Sequence, residues 1–228
     1  MDVKKIVLRI GRLFFGLFLF SLGIIMTINA NLGLQPWDVF HQGMSKNLNI
    51  TIGQANIMVG ATLIIVNSLL KEKLGWGTLA NMLFVGYFMD LILLYNLVPK
   101  FDNYILRFMM MCGGMFVLGV ASYYYIGTGL GAGPRDGLMV VITKKTKKSV
   151  GLVRNCIEIT ILILGIILGG FFGWGTIFTA VTIGFFIQFA FKVFKFDVTT
   201  VEHRFIDEDI RWLKQRFISK SAKQTESD

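Results

Sequence analysis

Two strings, GLQPWD at Gly33–Asp38 and GAGPRD at Gly131–Asp136, recur at an offset of 98 residues. Other landmarks keep that offset. Gly53 meets Gly151, Gly86 meets Gly184, and GWGT at Gly75–Thr78 meets GWGT at Gly173–Thr176. Upstream, Leu22-Gly23 matches Leu118-Gly119 after a two-residue slip. A phase held over this many landmarks marks a tandem duplication, covering roughly 12–95 and 107–193.

Hydropathy says where the duplicated unit lives. Spanning helices need roughly 17–25 mostly apolar residues. Six segments qualify, at about 11–30, 54–70, 78–97, 104–126, 152–171 and 176–195. Two shorter ones, about 36–48 and 134–146, each open on a proline after a glycine-containing string, a helix-start signal. The chain is 54% hydrophobic and 16% charged, with a mean hydropathy of +0.63. A soluble core of this size could not cover so much apolar side chain. The composition likewise excludes a disordered chain, a collagen-like chain and a disulfide scaffold. The basic N-terminus resembles a signal peptide, but its apolar run continues to about Ala30 without a convincing cleavage site. It reads as an uncleaved first span. The expected fold is therefore all-α: a polytopic bundle of six spans with two short re-entrant helices, residues 36–48 and 134–146.

Three spans per copy is an odd number, so the second copy should enter the membrane inverted. With the N-terminus inside, nineteen Lys and Arg fall on the inner side, including Lys71, Lys73, the Lys144–Lys148 cluster and the tail. Only Lys46, Lys100 and Arg107 fall outside, and Arg135 stays in the core. That is the positive-inside bias. A rival topology, in which both short segments cross, gives eight spans and turns the lysine cluster outward. The expected organisation is a first repeat over 1–98, an inverted second repeat over 99–196 and a cytoplasmic tail over 197–228. The string DEDIRWLKQRF in that tail is able to form a short amphipathic helix.

The paired turns carry the chemistry. Gly33, Gly127, Gly129, Gly131 and Gly133 permit backbone shapes that other residues resist, and Pro36 and Pro134 fix the first helical residue. Asp38 and Asp136 fall near the third helical position, where a carboxylate meets free N–H groups and the positive helix end. One reading makes these self-capped helix starts. The other makes them halves of a binding site, because irregular backbone at membrane depth is tolerated only where protein or a water-filled cavity surrounds it. Inverted repeats with broken helices are the pattern of secondary transporters. Copy one offers Gln35, Trp37 and Asp38, and copy two offers Gly133, Arg135 and Asp136. Arg135 suits a carboxylate or phosphate, or an internal salt bridge to Asp38 or Asp136. Trp37 suits stacking on a flat or cationic group, or an interfacial anchor or packing.

Asp90 lies in the third span and is a candidate because intramembrane charge is costly. Its counterpart is Gln188. Arg154 and Glu158 are four apart and can pair. His41, one turn past Asp38, with Asn56 and Asn81, makes a weaker set. The candidate substrate- or ion-binding residues are thus Asp38, Arg135, Asp136, Asp90, Trp37 and Glu158. The helix breaks fall at Gly33, Pro36, Gly131, Gly133 and Pro134. Trp76 and Trp174 should sit at opposite membrane interfaces. Cys112 and Cys156 lie in apolar runs, which argues against a structural disulfide. There is no Walker loop, HExxH, GxSxG or Cys/His cluster, so neither a metal, a cofactor nor an enzymatic activity is expected.

The strings GLQPWDVFHQGMS, TIGQANIMVG, KEKLGWGTLANMLFVGYFMD and GLGAGPRDGLM resemble the YczE-type bacterial membrane proteins of the YczE/YyaS/YitT grouping, over nearly the whole chain to about residue 195. The resemblance implies a multi-pass protein of the bacterial inner membrane, in a group commonly labelled as transporters. The leading expectation is a small secondary transporter of a charged or zwitterionic solute. The alternatives are an accessory or regulatory protein acting through its basic cytoplasmic face, and a lipid flippase. The expected surroundings are the bilayer and a small solute or ion, without nucleic acid. The glycine-rich faces allow a homodimer.

Overall fold

The computed structural model describes residues 3–208. Among these, every long element is a helix and no strand occurs. In chain order they are α1 (Val3–Ala30), α2 (Pro36–Leu48), α3 (Ile52–Leu69), α4 (Trp76–Leu94), α5 (Tyr104–Ile126), α6 (Pro134–Thr146), α7 (Val150–Ile167) and α8 (Trp174–Val193). Six are long and apolar enough to cross a membrane, α1, α3, α4, α5, α7 and α8. The short helices match the sequence reading to the residue. The first long helix starts about eight residues earlier than the apolar run, because Lys4, Lys5 and Arg9 are good helix formers. Of the tail string DEDIRWLKQRF, all beyond its first two residues lies outside the described residues.

The helix starts follow from local chemistry. Thr51 caps α3 by accepting from the Gln54 N–H, while the Gln54 side chain accepts from the Thr51 N–H. Asn103 and Ser149 cap α5 and α7 in the same sense. Pro36 and Pro134 start α2 and α6, and left-handed residues, Asn49 and Lys147, end them.

Contacts sort the helix ends into two faces. At the face holding the N-terminus, Arg9 donates to Thr128 and Gly129 carbonyls, Glu72 pairs with Lys144, and Gly77 N–H donates to Leu130 O. At the opposite face Asn29 donates to Val98 O, Lys46 to Gly169 O, Asn47 to Leu168 O, and Arg107 to Ala30 and Asn31 carbonyls. Both ends of α2 are tied to the second face and both ends of α6 to the first. The core is α1 against α5, flanked by α4 on α1 and α8 on α5. Gly23 and Gly114 make the central crossing possible, since a Cβ on either would stand 2.9 Å from the other's carbonyl. Large apolar side chains such as Ile163, Val181, Phe185 and Phe189 point out of the bundle, as a lipid-facing surface requires.

The two GWGT strings are exchanged between the halves. Gly77 N–H donates to Leu130 O at 2.7 Å, and Gly175 N–H donates to Leu32 O at 2.9 Å. Each GWGT therefore clamps the glycine turn of the other half. Gly33 (φ +135°) and Gly131 (φ +104°) have no room for a side chain: a Cβ would stand 2.5 Å from Thr176 N and 2.7 Å from Gly75 Cα. Trp76 and Trp174, half-exposed, follow these clamps at the start of α4 and of α8.

Candidate functional site

The starts of α2 and α6 line one cavity of about 320 Å³ inside the bundle. Its polar wall is Gln35, Trp37 and Asp38 from one half and Arg135, Asp136, Arg154 and Glu158 from the other, with Asn56 and Asn81 between. Apolar residues of α1, α4, α5 and α8 complete it. Several wall residues are counterparts at the 98-residue offset, namely Trp37 with Arg135, Asp38 with Asp136, and Asn56 with Arg154.

Arg135 holds the two halves together at this site. Its guanidinium lies over the Trp37 ring, 4.8 Å from the centroid. One nitrogen, Nη2, donates to Asn56 Oδ1 at 2.9 Å and faces His41 Nε2 at 3.4 Å. On the far side of that imidazole, Nδ1 is 3.5 Å from Asp38 Oδ1. With Nε2 turned to the arginine, Nδ1 faces the carboxylate at that distance without making a hydrogen bond among the described residues. His41 thus stands between an arginine and an aspartate that do not touch. The salt bridge to Asp38 or Asp136 considered from sequence is not among the described ion pairs; His41 bridges the first of them instead. Trp37 is buried beneath Arg135 and is not an interfacial anchor.

Other wall groups keep unused hydrogen-bonding capacity. Asp136 is exposed to the cavity. Buried Tyr125 Oη and Gln35 Nε2 have no protein partner among the described residues. Glu158 accepts from Arg154 Nε at 2.9 Å, so that pair forms as the spacing required. Pro134 O accepts from Asn67 Nδ2 at 2.8 Å, which fixes the start of α6 against α3.

One sequence candidate is placed elsewhere. Asp90 does not line the cavity. It caps the start of α3, accepting from Thr51 Oγ1 at 2.6 Å and Gly53 N–H at 3.1 Å. It sits only four residues before the end of α4, so it is less deep than its apolar flanks suggest. Gly133 stands at the helix break as the N-cap of α6, but its φ of −63° is open to any residue, and the positive-φ backbone of this turn lies at Gly129 and Gly131. Sequence reasoning underweighted His41 and Asn56. The signal available for His41 was its position one turn after Asp38, on the same helix face. Among the described residues no cluster of His, Cys, Asp and Glu could hold a metal ion.

Comparison with known proteins gives the family and supports a membrane protein. Residues 7–192 match the family of unknown function DUF6198. The chain is 36% identical over 192 residues to "Uncharacterized membrane protein YczE" of Bacillus subtilis, covering 82% of this chain and 87% of the relative. It is 34% identical to an "Uncharacterized protein" of Haemophilus influenzae, covering 81% and 84%. It is 30% identical to "Uncharacterized protein YyaS" of Bacillus subtilis, covering 72% and 83%. No solved structure matches. The polar cavity and its exchanged GWGT clamps therefore belong to a membrane protein of the DUF6198 family.

Proposed function

We propose that this protein is a small secondary transporter whose solute binds in the cavity between the starts of α2 and α6. The observation that carries the reading is the placement of charged groups from both halves in one cavity within an apolar bundle. Burying such groups costs several kcal/mol unless they are paired or hydrated, and in membrane proteins they mark substrate and ion pathways. The wall favours one class of solute. Arg135 has donors left beyond Asn56 and His41, and Tyr125 and Gln35 offer further unpartnered groups. Asp136 offers an open carboxylate. Arginines and carboxylates sharing about 320 Å³ fit a small zwitterion, its anionic group toward Arg135 and its cationic group toward Asp136. The charge bias of the loops supports a cytoplasmic N-terminal face, with the lysine cluster at the end of α6, in a bacterial inner membrane.

The test is a thermal-shift screen of detergent-purified protein against amino acids, betaines, small anions and cations, followed by flux into proteoliposomes. A zwitterion should raise the melting temperature, and Arg135→Ala and Asp136→Asn should each remove the shift and the flux. If no solute separates wild type from these variants, the transporter reading fails. An accessory role on the cytoplasmic face then becomes the better account.

A further inference from the structure

The two halves are not in the same state, and the difference lies at counterpart residues. In the first half, α3 and α4 are locked together near the second face. Gly53 and Gly86 meet so closely that a Cβ on either would fall on the other's carbonyl oxygen. Asp90 of α4 clasps the start of α3 through Thr51 Oγ1 and Gly53 N–H. In the second half the equivalent residues, 98 positions on, are Gly151, Gly184, Ser149 and Gln188. There the contact is unmade. A Cβ on Gly151 or Gly184 would meet nothing within 4 Å. Gln188 is exposed and makes no hydrogen bond among the described residues, and Ser149 only caps its own helix. While α3 packs closely on α4, α7 and α8 make no comparable contact. The cavity follows the difference. Arg154 and Ile157 of α7 and Ile187 and Phe191 of α8 line it, so it runs into the α7–α8 cleft toward the N-terminal face.

We infer that Thr51–Asp90 and Ser149–Gln188 are two alternating latches, and that this conformation has the first closed and the second open. The inference rests on the transporter reading for its purpose, but on the packing for its content. Two glycines at the same offset give α7 and α8 the flat faces that α3 and α4 use to approach. A serine hydroxyl and a glycine N–H stand ready at the start of α7, as a threonine hydroxyl and a glycine N–H do at α3. Gln188 supplies a neutral amide oxygen where Asp90 supplies a carboxylate. A hydrogen bond to a charged acceptor is stronger than one to a neutral amide. The difference favours the first latch, which matches the state observed. With the N-terminal face cytoplasmic, the cavity opens inward, and closing α7 on α8 while releasing α3 from α4 turns it outward. Two packings of this kind interconvert as discrete states, because close-packed interfaces do not deform continuously.

Distances between spin labels test this in the full chain in proteoliposomes, with Cys112→Ser and Cys156→Ser as background. One label pair, Met58→Cys with Tyr87→Cys, reports α3–α4; the other, Leu152→Cys with Phe189→Cys, reports α7–α8. All four side chains are exposed on the outside of the bundle, so the labels do not fill either interface. Gln188→Asp gives the second latch the acceptor of the first without adding bulk. The expected result is a shorter Leu152–Phe189 distance together with a longer Met58–Tyr87 distance. Gly86→Leu, which wedges the first latch, should move both distances the same way. If either variant changes one distance and leaves the other fixed, or changes neither, the coupled latches are refuted. Should Gly86→Leu fail to fold, Gln188→Asp decides alone. Reciprocal distances without solute flux would uphold the latches and overturn the transporter reading. Flux without reciprocal distances would do the reverse.

Discussion

The Arg135 guanidinium stacks on the Trp37 ring at 4.8 Å, and these two residues occupy the same place in the two halves of the duplication. One position has thus become a cation in one copy and its aromatic platform in the other. The pair joins α6 to α2 at the cavity wall, with Trp37 buried and Arg135 half-buried, so water weakens it only in part. A partly desolvated cation–π contact of this sort is worth about 1–2 kcal/mol. A double-mutant cycle with Trp37→Leu and Arg135→Met, read by unfolding in detergent, should return a coupling of about that size. Arg135→Lys should behave like Arg135→Met, because an ammonium cannot stack flat on the indole while also bonding Asn56. Additive single effects would show the stack to be incidental.

Asp90 makes the opposite prediction from the one its sequence context invites. Its carboxylate is used within the protein, on Thr51 and Gly53. Asp90→Ala should destabilise the fold by about 1.5–3 kcal/mol, since a hydroxyl and an N–H at the start of α3 lose a charged acceptor. It removes no group of the cavity wall, so a ligand of the cavity should still raise the melting temperature. Asp136→Asn should do the reverse, with a small effect on stability and a large one on ligand affinity.

The glycine clamps separate positions that look alike in sequence. Gly33→Ala forces a Cβ against Thr176 N at 2.5 Å and holds alanine at φ +135°. It should cost about 2 kcal/mol or more. Gly169 also has a positive φ, +79°, but opens into free space, so Gly169→Ala should cost only the backbone term, about 1 kcal/mol. Gly184→Ala lies mid-helix with nothing within 4 Å, and alanine is the better helix former there, so its melting temperature should match or exceed wild type. The order of the three melting temperatures checks the account.

These contrasts show what was legible in the sequence. The helices were, because apolar length and proline placement are local signals: Pro36 and Pro134 gave the short helices their first residues. The grouping of Trp37, Asp38, Arg135 and Asp136 was also legible, because the repeat aligns the two turns and the cost of irregular backbone in a bilayer draws them into one protected place. The partners were not. Nothing local distinguishes Asp90, spent on a neighbouring helix start, from Asp136, open to a cavity. That depends on how close α3 comes to α4 and how far α7 stays from α8. The roles of GWGT were hidden for the same reason. As a string it reads as a helix start, and only the packing shows that each copy clamps the other half's turn.

The segment after the last span is less free than its composition suggests, and it carries a pH-dependent contact. Arg204 N–H donates to Gly129 O and Ile206 N–H to Leu74 O, while Lys73 lies over the Phe205 ring and near Glu208. This short strap ties the second half's glycine turn to the first half's α3–α4 loop. Within it His203 Nδ1 accepts from Gly131 N–H at 3.3 Å. Partial burial, and then the nearby Arg9 guanidinium, hold the His203 imidazole below its ordinary value of 6.5. The docked strap therefore favours the neutral ring. Its contribution is complete above pH 6.5 and fades as the pH falls through the lowered value, because protonation places a hydrogen where Gly131 donates. Hydrogen exchange at the Gly131 amide should be slow at pH 7.5. Corrected for intrinsic rates, it should lose protection as the pH falls below the ordinary histidine range. His203→Ala should abolish that pH dependence and expose the amide at both values. Protection unchanged from pH 7.5 to 5, or retained in His203→Ala, would mean that the backbone bonds of Arg204 and Ile206 hold the strap without the histidine.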